Sequence, residues 1–152
     1  MRLSIPLAAL VLLTAGTTQL CASGMDDKVP DQQSVDALAL KASQAQPREQ
    51  CFLYAQLAHE MTELSLRQYA AGDVEKATSL LKQIQQIAHK IHLTSTDNDK
   101  REKNAEILLR HTAFRLNELL HSSGFDDRPL VAETLAQVNQ AQSEAMMHVF
   151  AK

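Results

Sequence analysis

The chain has 152 residues, a net charge of −3 with histidines neutral, no tryptophan and only 4% aromatic residues. Mild acidity argues against nucleic acid, which rewards a basic stripe, and gives no attraction to an anionic membrane surface. With four glycines and four prolines in the whole chain, the composition favours helices packed through Leu, Ile, Met and Ala over a sheet.

The first two dozen residues read as an export signal. Arg2 supplies the positive start, Leu3 to Leu13 an apolar run, and Ala22-Ser23-Gly24 a small-residue cleavage site. Ser4 and Pro6 interrupt that run, which falls short of the roughly 20 residues that span a bilayer. Leu20 before Cys21 fits a lipid-attachment site badly. The expectation is a signal peptide over 1–24, a periplasmic or secreted product, and no stable membrane insertion after cleavage. Cys21 then leaves with the signal. Cys51 remains alone, either as a buried thiol or as a bridge between two chains, and the first is favoured because Tyr54, Ala58 and Met61 share its helical face.

Residues 25–47 form a polar arm with a weak apolar stripe at Val35, Leu38 and Ala42, predicting a short helix or a tail that Pro47 closes. From 48 to 152 the pattern predicts one domain of four amphipathic helices. In the first, about Arg48 to Ala71, Leu53, Tyr54, Leu57, Ala58, Met61 and Leu64 line one side, with Gln56, Glu60, Glu63 and Arg67 on the other. Gly72-Asp73 ends it and caps its successor. The second carries Val74, Ala77, Leu81, Ile84, Ala88 and Ile91 at heptad spacing, widened by Leu80 and Ile87. It stops at the turn formers Thr94 to Asn98. The third opens on an Asp-led capping box, Asp99 to Glu102. Its main face is Ala105, Leu108, Leu109, Thr112, Leu116, Leu119 and Leu120. The fourth follows Ser122-Ser123-Gly124 and repeats Val131, Leu135, Val138, Gln142, Ala145 and Val149. Segments of about 20 to 23 residues span roughly 30–35 Å. Short links between equal helices predict antiparallel neighbours. The expected fold is therefore all-α, an antiparallel up-down four-helix bundle preceded by the signal peptide and the arm.

Chemistry-bearing patterns are sparse. His59 with Glu63, and His89 with His92, have spacings that set two metal ligands side by side on a helix. Together they are the residues a divalent transition metal would use. The two pairs match poorly in height along an antiparallel bundle, so the expectation is no cofactor. Glu118 and His121 make one Glu-x-x-His pair, where a ferritin-like di-iron core needs two. Met61 and His148 imitate a haem ligand pair, without a Cys-x-x-Cys-His string and with His148 off the apolar stripe. Met146-Met147 reads as packing. No Gly-x-Ser-x-Gly string or glycine-rich phosphate loop occurs, so no catalytic residue is expected and the chain reads as a non-enzyme. The stretch Tyr69 to Ala77 looks like the turn of a tetratricopeptide repeat, an alternative as a helical scaffold, although no second copy stands about 34 residues away.

At a wider scale, three strings are carried together: Pro47-Arg48-Glu49-Gln50-Cys51-Phe52-Leu53-Tyr54, Lys103 through Leu116, and Met146-Met147-His148-Val149-Phe150. With them the chain from Pro47 onward resembles a family of small exported all-helical bacterial proteins. The resemblance implies export and helicity, and brings no activity and no functional residue with it.

One surface feature remains. Ile107 and Phe114 lie seven apart on the third helix, nearly opposite its core face, with His111 and Arg115 alongside. A helix apolar on two sides is either central in its bundle or bound to something, and no helix of a four-helix bundle is fully surrounded. The alternatives are cover by the 25–46 arm, an interface with a second copy of the chain or with another periplasmic protein, and incidental exposure. The reading is an exported helical protein that acts through protein contact, with Ile107, His111, Phe114 and Arg115 as its interface. A periplasmic metal-binding or metal-sensing protein is the alternative.

Overall fold

The computed structural model describes residues 29–94 and 99–150; the expected signal peptide and its cleavage site lie outside them. The described chain is all-α, with α1 (Gln32–Gln44), α2 (Pro47–Ala70), α3 (Val74–Thr94), α4 (Asp99–Ser122) and α5 (Arg128–Phe150), and no strand among the described residues.

Local sequence sets the helix ends. Asp31 caps α1 by accepting from the Ser34 N–H at 2.7 Å, while Ser34 Oγ accepts from the Asp31 N–H at 3.0 Å. This is a reciprocal capping box. Pro47 opens α2, where its missing N–H costs nothing. Gly72 takes φ +80°, the left-handed conformation that ends a helix. Around it the Asp73 N–H reaches Gln68 O at 2.9 Å and the Gly72 N–H reaches Tyr69 O at 3.0 Å. Asp73 then caps α3, accepting from the Lys76 N–H at 3.3 Å.

The arm is a helix. α1 packs on α2 alone, through the Val35, Leu38 and Ala42 stripe. The remaining helices touch in the closed order α2, α3, α5, α4. Chain direction follows from the cross-helix pairs. Ser65 donates to Ala77 O and Lys90 sits over the Tyr54 ring, so α2 and α3 are antiparallel. Gln142 reaches Glu106, so α4 and α5 are antiparallel as well. Glu49 meets Arg101, His59 meets Thr112 and Glu63 meets Arg115, so α2 and α4 run parallel. By the same directions α3 and α5 are parallel, joined by Gln85 to Thr134 at 3.0 Å.

This corrects the expected neighbour pattern. Consecutive α3 and α4 share no contact among the described residues. Short connection length fixes opposite direction and leaves adjacency open, and here packing places these two helices across a diagonal. The core is centred on Leu57, Leu81, Ile84, Ile91, Leu109, Leu116, Val131 and Val138, all fully buried. Two smaller corrections concern the stripes. Val74 is exposed at the start of α3. On α5 the buried line is Val131, Thr134, Val138, Ala141 and Ala145, while Leu135, Gln142 and Val149 are half-buried. No described helix is long and apolar enough to cross a membrane.

Candidate functional site

Helix α2 is enclosed by three neighbours, α1, α3 and α4, and is buried over most of its circumference, at Leu53, Ala55, Leu57, Ala58, Thr62 and Ser65 among others. The side left open runs along its seam with α4. There, Phe52, Gln56, His59 and Glu60 of α2 and Asn104, Ile107 and Leu108 of α4 line a groove of ≈450 Å³. The walls are mainly the Phe52 ring and the Ile107 and Leu108 side chains, with amides and one imidazole interspersed.

Ion pairs stand at both ends. At one end Arg101 Nη2 lies 3.4 Å from Glu49 Oε1, and its guanidinium sits 5.3 Å from the centroid of the Phe52 ring. At the other, Arg115 grips Glu63 in a fork, Nε to Oε1 at 2.6 Å and Nη2 to Oε2 at 3.1 Å, and its Nη1 bonds Glu118. Those carboxylates hold the Arg115 guanidinium still more firmly protonated than usual, the Glu63 hydrogen bond contributing most. The fork fixes the register of the two parallel helices, because a planar guanidinium matches a carboxylate in one orientation.

Between the clamps, Thr112 is fully buried and donates its hydroxyl to Leu108 O at 2.8 Å. His59 Nδ1 lies 3.3 Å from the same hydroxyl oxygen. With the threonine proton committed to the carbonyl, the imidazole donates, which puts its proton on Nδ1. Burial lowers the His59 pKa. Glu63, acting to raise it, is the next influence; His111 lowers it, Glu60 raises it and Arg115 lowers it. The groove is therefore walled by a neutral imidazole at pH 7.

The structure brings together two sets of residues that the sequence treats separately. Ile107 lines the groove; His111 and Phe114 continue the α4 face outward, Phe114 at 62% exposure. Arg115, expected at the interface, turns onto Glu63 and Glu118. The arm's helix α1 does not cover the patch: among the described residues it touches only α2.

The suggested metal residues are divided. His59 and Glu63 are on the α2/α4 seam. His89 is on the α3/α5 seam, in a groove of ≈490 Å³ with Ala88, Gln137, Gln140, Ala141 and Glu144. The His92 side chain lies outside the described residues. Among the described residues no group of three or more His, Cys, Asp or Glu side chains is placed to hold a metal ion. His121 uses Nδ1 on Asn117 O at 2.7 Å, and Glu118 is on Arg115. Met61 is buried, whereas His148 is exposed. Met146 and Met147, expected to pack, are exposed at 42% and 61%; they sit on the outer side of the last turns of α5. Cys51 is buried at 1% exposure, and burial, with the Glu102 carboxylate second, pushes its thiol up to about 11.

Sequence reading missed the clamps. The signal was present: Glu49 and Glu63 are fourteen apart on α2, and Arg101 and Arg115 are fourteen apart on α4. Two acids and two arginines with one common spacing define a parallel pairing. No family model matches the chain, and comparison with curated proteins and with solved structures finds no match.

Proposed function

We propose that this is an exported, non-enzymatic four-helix bundle with an appended arm helix, acting by protein contact along the α2/α4 face. The observation that carries the reading is Phe114, a large aromatic side chain 62% exposed and two helical turns from the apolar groove on the same side of α4. Exposed apolar surface of this kind, edged by charge, is the usual mark of a contact site. The chemical groups along the seam are engaged with one another: His59 with Thr112, Glu63 with Arg115, and Gln56 with Glu60 at 3.0 Å. That supports contact over catalysis. Export rests on the charged, apolar and small-residue succession of residues 1–24.

A photo-reactive amino acid placed in living cells at Asn104 or at Phe114 tests the reading, with Gln86 on α3 as the control. Cross-linked adducts from the α4 positions and none from Gln86 are expected. Adducts from all three positions alike, or from none, overturn it. The mass of the recovered chain tests export in the same sample, and a mature protein beginning at Met25 is expected.

A further inference from the structure

We infer that the partner on the α2/α4 face is a second copy of this chain, docked about a two-fold axis that crosses α4 between Arg110 and His111. The inference rests on the contact reading above and gives that contact an occupant.

A two-fold interface uses one patch twice, so the patch must carry both a projection and a cavity to receive it. The outer face of α4 has both. Phe114 projects, and Ile107, seven residues earlier, forms a wall of the groove. Seven residues advance about 10.5 Å along the helix. An axis midway between them lays a second α4 antiparallel to the first, and Phe114 of each copy then meets Ile107 and the groove of the other. One operation fills two grooves and covers two exposed rings.

Charge and polarity follow the same symmetry. About that axis Lys103 comes opposite Glu118 of the second copy, and Glu118 opposite its Lys103. Asn104 comes opposite Asn117, an amide pair that can both donate and accept. All four side chains are exposed. Before the axis Lys103 and Arg110 outnumber Glu106, and beyond it Glu63 and Glu118 outnumber Arg115, to which both are bonded, so the face reads as its own complement, with an apolar pair inside each charged pair. Opposite charges placed this way set register and direction, and a parallel pairing would put like charges together. An unrelated partner would require no such internal symmetry.

Sedimentation equilibrium of the purified protein tests the inference, with circular dichroism and the thermal midpoint as controls for folding. The unaltered chain is expected to dimerise. Phe114→Glu and Ile107→Glu are each expected to raise the dimer dissociation constant by roughly 100-fold, because each removes one half of the same contact. Lys103→Glu and Glu118→Lys are each expected to weaken the dimer by roughly tenfold. An equimolar mixture of the two is expected to recover a heterodimer, since the changed residues now face opposite charges. A wild-type chain that stays monomeric overturns the inference, as does a dimer indifferent to Phe114→Glu, or a mixture that fails to recover. Adducts from Phe114 to a different protein, together with a monomeric purified chain, overturn the second copy and leave the contact reading standing. Absence of all adducts overturns both.

Discussion

Thr112 on α4 and Thr134 on α5 occupy corresponding places on opposite sides of the helix ring. Both are fully buried, and both donate the hydroxyl to the carbonyl four residues earlier, at 2.8 Å in each case. Each also faces a side chain on a parallel neighbouring helix, His59 of α2 for Thr112 and Gln85 of α3 for Thr134. The surroundings differ. The α2/α4 seam is clamped by arginine–carboxylate pairs around an apolar groove, whereas Gln137, Gln140, Ala88 and Ala141 line the α3/α5 seam together with His89 and Glu144. One device thus joins two pairs of parallel helices, and the α2/α4 pair adds the arginine clamps, with the imidazole of His59 bonded between them. Helix pairing and surface function are separable here, because the threonine bond serves the first and the clamps and groove serve the second.

The comparison presumes one core beneath both seams, and the largest expected effects test that. Leu116 lies under α4 and Ile84 under α3, both fully buried. Leu116→Ala and Ile84→Ala should each cost about 2–5 kcal/mol, lost transfer energy plus a cavity. Urea unfolding should show single transitions with equal slopes for both. A variant that unfolds one side first would divide the ring into two units.

Next come the threonines. Thr112→Val and Thr134→Val keep the volume and remove the hydroxyl, and each should cost about 1 kcal/mol for the cross-helix bond. Equal losses would show the two seams to be built alike at this point. A smaller effect follows at the clamps. Arg115 with Glu63 is a forked pair at 37% and 28% side-chain exposure, while Arg101 with Glu49 is a single contact at 42% and 40%. A double-mutant cycle with Arg115→Met and Glu63→Gln should give a coupling near 1 kcal/mol, and the corresponding cycle at Arg101 and Glu49 roughly half that or less.

Much of this was legible in the sequence. The four long helices, the Gly72-Asp73 junction and the α1 stripe were readable because apolar period and capping chemistry act locally. Adjacency was not, since the helix spacing that predicts antiparallel runs does not say which runs touch. Thr134 and Ala141 escaped the α5 stripe because burial there is set by close helix approach, which selects small residues, and a hydrophobicity pattern drew attention to Leu135 instead. At the candidate site, Ile107 and Phe114 stood out as apolar residues on a polar face. Leu108 did not, because it also fits the core stripe of its helix and only the third dimension opens it to the groove, and Phe52 stood alone outside the apolar stripe of its helix, with no partner in view until α4 was packed beside it. His59 was noticed for its spacing to Glu63, four residues along one helix, whereas its bonded partner lies 53 positions away.

The smallest effect is the sharpest test of how the seams differ. Burial lowers the His59 pKa below its ordinary 6.5, with Glu63 and Glu60 opposing the shift and His111 and Arg115 adding to it. As pH falls below about 6.5, the unfolded chain binds a proton at this position before the folded one does. The associated stability is therefore full above the unfolded value and is lost as pH falls through the lower folded one. Gln85 on the other seam does not titrate and contributes no such slope. Between pH 7.5 and 5.5 the thermal midpoint of the wild-type chain should fall more than that of His59→Gln, while Gln85→Ala should lower the midpoint and leave its pH slope unchanged. If His59→Gln kept the whole slope, the imidazole would not be the group that distinguishes the seams. The comparison would then rest on the clamps and the groove alone.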